Sequence, residues 1–136
     1  KAASEYLKAR GFEPNIRVIN DYSNPLQKGS SIVLWAETDK GVLLGGDAIG
    51  ELRKRSEDVG REAAENLYKE IDAKATVDIH MADILVPYVA LAKGQSIYFA
   101  RELSDHLETN IWLAEKILGV KFNVTRVNGL YRIEKI

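Results

Sequence analysis

The sequence has no cysteine, one methionine and only two histidines among its 136 residues. Without cysteine the chain can form neither a disulfide framework nor a thiolate metal site. Its formal net charge is −1, so no overall positive field draws it to nucleic acid and any such binding must be local. No apolar run is long enough to cross a membrane, and the N-terminus lacks the hydrophobic block of a signal peptide. We therefore expect a cytoplasmic globular protein without a membrane partner.

The chain has enough apolar residues, 46% of the total, to build a packed core. The composition changes near residue 75, so we predict two domains, residues 1–75 and residues 76–136. The first is expected to be a small α/β domain that begins inside a helix, without a cap. This opening favours a chain that is part of something longer.

Alternating or β-rich runs predict strands in the first domain over residues 15–20, 31–37 and 42–45. The turn Thr38-Asp39-Lys40-Gly41 joins the last two, with glycine at the left-handed position. Residues 45–50 read Gly-Gly-Asp-Ala-Ile-Gly after a strand, as some phosphate-binding loops do. They lack the Gly-Lys-Ser/Thr ending of a Walker loop and the spacing of a dinucleotide fingerprint. A turn that leaves the sheet is the favoured interpretation.

The second domain is predicted to be helix, strand, helix and hairpin. We expect a helix that starts at Thr76 or Asp78, runs to Lys93 and is kinked or split at Pro87, then a strand over residues 96–100. A second helix, ended by Gly119, leads to a hairpin whose turn is Asn128-Gly129. The predicted fold class is α+β, with helices on one face of a mostly antiparallel sheet.

His80 and Asp83 are three residues apart, so they share one face of the first of these helices. A carboxylate beside an imidazole could bind a ribose hydroxyl, orient a base or lie in the outer shell of a metal. A solvent-facing helical pair without a ligand is the alternative.

His106 begins the second helix. Asp105 is a good N-cap residue and Glu108 lies three positions on, so we predict a capping box with His106 at the first helical position. A helix N-terminus binds phosphate and disfavours a second positive charge, which favours neutral imidazole. Neutral imidazole has the lone pair that a nucleophile attacking phosphorus needs. An exposed residue with no chemical task is the alternative.

Three motifs, in their order and spacing, resemble the RNA 3′-terminal phosphate cyclase family. They are LGGDAIG at residues 44–50, HMADILVPYVALA at residues 80–92 and HLETN at residues 106–110. The resemblance covers nearly the whole chain. It implies part of a domain built from repeated βαβαββ units, with residues 1–75 as most of a small inserted α/β domain that is incomplete at its N-terminus.

The resemblance also implies an activity, that of a ligase that uses ATP to convert an RNA 3′-phosphate into a 2′,3′-cyclic phosphodiester. His106 matches the nucleophile that forms a histidine-AMP intermediate. The nucleotide pocket matches His80, Met81, Ala82, Asp83 and Ile84, with Asp83 as an ATP contact and His80 as a ring partner for the base. Many members have Gln where Ile84 stands, so no side chain at that position can hydrogen bond to adenine here.

The implied partners are RNA 3′-phosphate ends, ATP and the N-terminal portion of the same protein, which is missing from this chain. A divalent metal, Mg or Mn, is expected as cofactor, but no ligands for it are evident. We therefore expect this fragment alone to be weakly active or inactive. The alternative is a non-catalytic cyclase-like protein that acts in ribosome assembly, or an RNA-binding module.

Overall fold

A computed structural model describes residues 1–20, 22–23 and 29–136 of the chain. These residues form two compact units, one of residues 1–36 and 45–69 and the other of residues 37–44 and 70–136. The elements are, in order, α1 (Ala2–Lys8), β1 (Ser31–Glu37), β2 (Leu43–Ile49), α2 (Ser56–Ala73), α3 (Ile79–Leu91), β3 (Ser96–Ala100), α4 (Asp105–Leu118), β4 (Phe122–Val127) and β5 (Leu130–Lys135). The chain is therefore mixed α and β, as predicted. The domain boundary at residue 75 stays a prediction.

The core of the first unit forms where α1 and α2 meet the two-stranded sheet of β1 and β2. Its two buried clusters share the half-buried Ile32 and Leu34 of β1. The buried members are Ala3, Leu7 and Ala64 in one cluster and Ala48, Val59 and Ala63 in the other. Small alanines dominate both lists, so the helices approach the sheet closely.

The glycine-rich residues 45–50 lie largely inside β2, which runs on to Ile49. Both interpretations of this run, a phosphate-binding loop and a turn that leaves the sheet, are therefore wrong. A Cβ atom on Gly46 would lie 2.3 Å from the main-chain nitrogen of Leu67 and 2.7 Å from its Cα. Gly46 is thus required because α2 packs directly on the strand backbone.

The strand predicted over residues 15–20 is absent, and that prediction is wrong. These residues have no regular structure, and Ile16, Val18 and Ile19 are each more than half exposed. Alternation makes a segment suitable for a sheet, but a strand forms only where a neighbour pairs with its backbone groups.

In the second unit, α3 and α4 pack on an antiparallel sheet of order β3-β5-β4. Ile133 of the central strand is opposite Tyr98 on one side and Val124 on the other. Its side chain is fully buried at the centre of the core, together with Leu107 of α4 and Val86 of α3. The hairpin turn is as predicted, because Asn128 and Gly129 have φ values of 51° and 87°.

Candidate active site

The helix that carries His106 is capped one residue earlier than predicted. Ser104 has extended backbone angles and its Oγ accepts a hydrogen bond from the main-chain nitrogen of Leu107 at 3.1 Å. Asp105 is already helical, so its assignment as the N-cap is wrong and His106 is at the second helical position. Serine and aspartate are equally good caps, and the sequence could not decide between neighbours.

His106 is exposed, and the residue that follows it is completely buried. Leu107 anchors the first turn in the core and thereby fixes the direction in which the exposed imidazole leaves the helix. The first-turn N–H groups lie beside it and give this end of α4 a partial positive charge. An exposed imidazole beside the amide groups of a helix N-terminus can meet a phosphate that binds there.

The other histidine has the same place in α3. Asp78 caps this helix, and its Oδ1 accepts a hydrogen bond from the main-chain nitrogen of Met81 at 2.8 Å. His80 is therefore also at the second helical position, and it is exposed. The two histidines of the chain thus begin the two helices of one unit, and each follows a capping residue by two positions.

The other residues assigned to the nucleotide pocket differ in exposure. Met81 is exposed, whereas the side chain of Ala82 is buried in the core at 1% exposure. The main-chain oxygen of Ala82 accepts a hydrogen bond from the Tyr98 hydroxyl at 2.8 Å. Burial raises the pKa of Tyr98 strongly, and the nearby charge of Asp83 raises it further. Tyr98 therefore remains a neutral donor to α3.

Asp83 and Ile84 line a groove of about 460 Å³ between α3 and α4, with Asn110 opposite them. The remaining wall is largely apolar, formed by Pro87, Tyr88, Leu113, Ala114, Ile117 and Leu118. His106 precedes Asn110 by four residues, so it lies on the same helix face, one turn before the groove. His80 precedes Ile84 by four residues in the same way.

Asn110 lines this groove and was not among the predicted pocket residues, although it belongs to the third motif. Its Nδ2 donates a hydrogen bond to the main-chain oxygen of Asp83 at 3.2 Å. The signal in the sequence was Pro87, which has no N–H to donate to the carbonyl four residues before it, that of Asp83. An unpaired carbonyl in a packed helix predicts a donor from a neighbouring element.

The described residues contain no group of three or more acidic or histidine side chains that could hold a metal ion. No helix in the described ranges is both long and apolar enough for a membrane span.

Comparison with known proteins gives two kinds of match. A family model described as "RNA 3′-terminal phosphate cyclase (RTC), insert domain" matches residues 1–72. Proteins named RNA 3′-terminal phosphate cyclase are similar over most of the chain. The one from Pyrobaculum neutrophilum is 46% identical over 136 residues, which is 98% of this chain and 38% of the relative. The one from Methanosarcina mazei is 45% identical over 132 residues, 97% of this chain and 35% of the relative.

A third relative, from Methanopyrus kandleri, is 41% identical over 134 residues, 95% of this chain and 38% of its own length. The chain therefore spans a little over a third of the length of these curated relatives.

Proposed function

This chain belongs to the RNA 3′-terminal phosphate cyclase family, and we propose that it supplies the nucleophile and part of the nucleotide pocket of an ATP-dependent cyclase. The observation that supports this most directly is the position of His106. It is exposed in the first turn of a capped helix, one turn before a groove lined by Asp83. The activity would belong to a longer protein, because the chain spans only 35–38% of the length of the three relatives named above.

The proposed reaction has three steps, each of which breaks one bond to phosphorus. A ring nitrogen of His106 attacks the α-phosphorus of ATP and displaces pyrophosphate, which leaves a histidine-AMP phosphoramidate. An oxygen of the RNA 3′-phosphate then attacks this phosphorus and takes the AMP as a phosphoanhydride. The neighbouring 2′-hydroxyl attacks the 3′-phosphorus, releases AMP and closes the 2′,3′-cyclic phosphodiester. One difficult dehydration is thereby divided into easier displacements.

The N-terminus of α4 suits the first step. Its amide groups and partial positive charge stabilise negative charge on a phosphate beside His106. Positioning and charge stabilisation account for most of the catalysis of phosphoryl transfer, and a rigid helix turn provides the first of these. Leu107, fully buried, keeps this turn in place.

We assign the base of ATP to the α3 side of the groove. His80 is exposed at the start of α3 and can stack on the ring, while Asp83 one turn later provides a polar contact. Ile84 offers no hydrogen bond, so selectivity for adenine must come from other groups. A divalent metal, Mg or Mn, would neutralise charge on the phosphates, and we assign it no ligand in the described residues.

The test is covalent labelling of the full-length protein with ATP carrying an α-phosphorus label, in the presence of Mg or Mn. We expect wild type to retain an acid-labile label and His106→Ala to retain none. His80→Ala is a matched control, because it removes the other histidine from the same helical position. It should weaken ATP binding but leave the label at saturating ATP.

Equal labelling of wild type and His106→Ala would reject His106 as the nucleophile. No label on the wild type, with retained RNA binding, would favour the non-catalytic alternative. We expect the 136-residue chain alone to label weakly or not at all, since other phosphate-binding groups would lie in the rest of the protein.

A further inference from the structure

Helix α3 contains a break in its hydrogen-bond ladder at the edge of the groove. Pro87 lies inside the helix, which continues to Leu91 without splitting. A helical proline has no N–H for the carbonyl four residues earlier, and its ring pushes that carbonyl outward. In α3 this carbonyl belongs to Asp83. Of the two predicted outcomes at Pro87, a kink or a split, the split is therefore wrong. One main-chain acceptor has nevertheless lost its intrahelical donor.

Asn110 of α4 supplies the missing donor. Its Nδ2 is 3.2 Å from the Asp83 main-chain oxygen, in a part-buried position. The preceding carbonyl of α3, that of Ala82, accepts the Tyr98 hydroxyl at 2.8 Å. Two successive carbonyls of α3 are thus bonded by side chains from α4 and β3. The bond from Tyr98 holds α3 at a fixed distance from β3. The bond from Asn110 holds α3 at a fixed position along α4.

We infer that Asn110 is a positioning residue for the reaction of His106. It lies one turn after His106 on the same face of α4, and it bonds the backbone of the residue whose side chain we assign to ATP. One amide group therefore sets the spacing between the nucleophile and the nucleotide contact. This inference rests on the proposed function and adds to it a residue that does not itself react.

The size of the effect follows from the sensitivity of displacement reactions to geometry. A misplacement of about 1 Å can cost about 100-fold in rate. Without the bond, the two helices remain packed through Val86, Leu107 and Ile111, so the fold persists. What is lost is the fixed register at the groove.

The experiment measures the single-turnover rate of AMP transfer to His106 in the full-length protein, together with thermal unfolding. We expect Asn110→Ala to lower this rate about 10- to 100-fold. The KM for ATP should change by a smaller factor, because Asp83 keeps its side chain. Asn66→Ala is the matched control, since the Asn66 Nδ2 also donates to a main-chain oxygen, that of Asp47, at 3.1 Å. It should lower the Tm without changing the rate of labelling.

The double variant Pro87→Ala/Asn110→Ala separates positioning from stability. An alanine at position 87 returns an N–H to the Asp83 carbonyl, so the Tm lost in Asn110→Ala should be recovered in part. The hydrogen bond between α4 and α3 is still absent in this double variant, and the labelling rate should therefore stay low. Recovery of the rate together with the Tm would overturn the inference and leave Asn110 a purely structural role.

A wild-type rate of labelling in Asn110→Ala would also overturn the inference, while leaving the proposed function intact. If the proposed function is wrong, the wild type itself will carry no AMP label. That result would reject both the proposed function and the role of Asn110.

Discussion

Glu70 is a buried carboxylate whose main partner is the guanidinium of Arg101. Its side chain is 2% exposed, and its Oε1 accepts hydrogen bonds from Nε and Nη2 of Arg101, both at 3.1 Å. Its Oε2 is buried without a hydrogen-bond partner in the described part of the chain. We predict that Arg101→Ala is strongly destabilising, because it leaves a buried charge uncompensated.

The magnitude follows from the burial of the two groups. Removing one partner of a buried ion pair costs about 3–5 kcal/mol. The Arg101 side chain is 28% exposed, so water can partly replace it and we expect the lower end, about 3 kcal/mol. For a chain of 136 residues, with about 2.1 cal/mol/K of unfolding entropy per residue, this lowers the Tm by about 10 °C.

The loss of stability in Arg101→Ala should depend on pH, and the shift of the Glu70 pKa shows whether it grows or shrinks as the pH rises. Burial raises this pKa above its usual value of 4.5, the bonds and charge of Arg101 lower it again, and the charge of Asp78 raises it. A carboxyl with a raised pKa in the folded state stabilises the fold below its unfolded pKa and loses this contribution as the pH rises through its folded pKa. Without Arg101 the folded pKa rises further. Arg101→Ala should therefore cost less near pH 4.5 than near pH 8.

Urea unfolding of wild type and Arg101→Ala at several pH values would measure this. Arg55→Ala is a suitable control, because Arg55 pairs with Glu57 at 3.7 Å on the exposed surface. Its loss should cost less than about 1 kcal/mol at every pH. Glu70→Gln should abolish the pH dependence of the Arg101→Ala effect. An equal cost of Arg101→Ala at pH 4.5 and pH 8 would refute the reasoning.

Three further substitutions test the packing and the cap. Ser104→Ala should cost about 1 kcal/mol in denaturant unfolding, whereas Asp105→Ala should cost much less; the reverse order would restore Asp105 as the cap. Gly46→Ala should cost more than about 1–3 kcal/mol by the same measurement, because the new Cβ would overlap the backbone of Leu67, and a neutral result would contradict the close packing. Leu107→Ala should cost about 3–5 kcal/mol, since Leu107 is completely buried, and a loss below 1 kcal/mol would be inconsistent with that burial.

Much of the second unit could be predicted because its signals are local. The apolar stripe of α4, its end at Gly119 and the Asn128-Gly129 turn are each determined by neighbouring residues. The position of His106 was predicted to within one residue for the same reason. What local signals could not decide was whether Ser104 or Asp105 bears the cap, because both side chains can do so.

The failures in the first unit have a tertiary cause. Residues 15–20 alternate as a strand should, but none of the strands in the described part of the chain pairs with them. Residues 45–50 resemble a loop by composition, yet Gly46 lies inside a strand because the α2 backbone lies against it. In both cases the outcome depended on a contact outside the segment, which is missing in the first case and present in the second. Asn110 was missed similarly, since its partner is 27 residues away in the chain.

The combination of Pro87 and Asn110 is difficult to explain by stability alone. A proline in a helix interior costs about 3 kcal/mol relative to alanine, and one hydrogen bond from a side chain returns only about 1 kcal/mol. The pair is therefore a net loss for the fold of about 2 kcal/mol. Because of the pair, the Asp83 carbonyl accepts its hydrogen bond from Asn110 of α4 and not from a main-chain N–H of α3. A helix with an intact hydrogen-bond ladder would have no such bond to α4 at the groove, which favours a role for the pair in the spacing of Asp83 and His106.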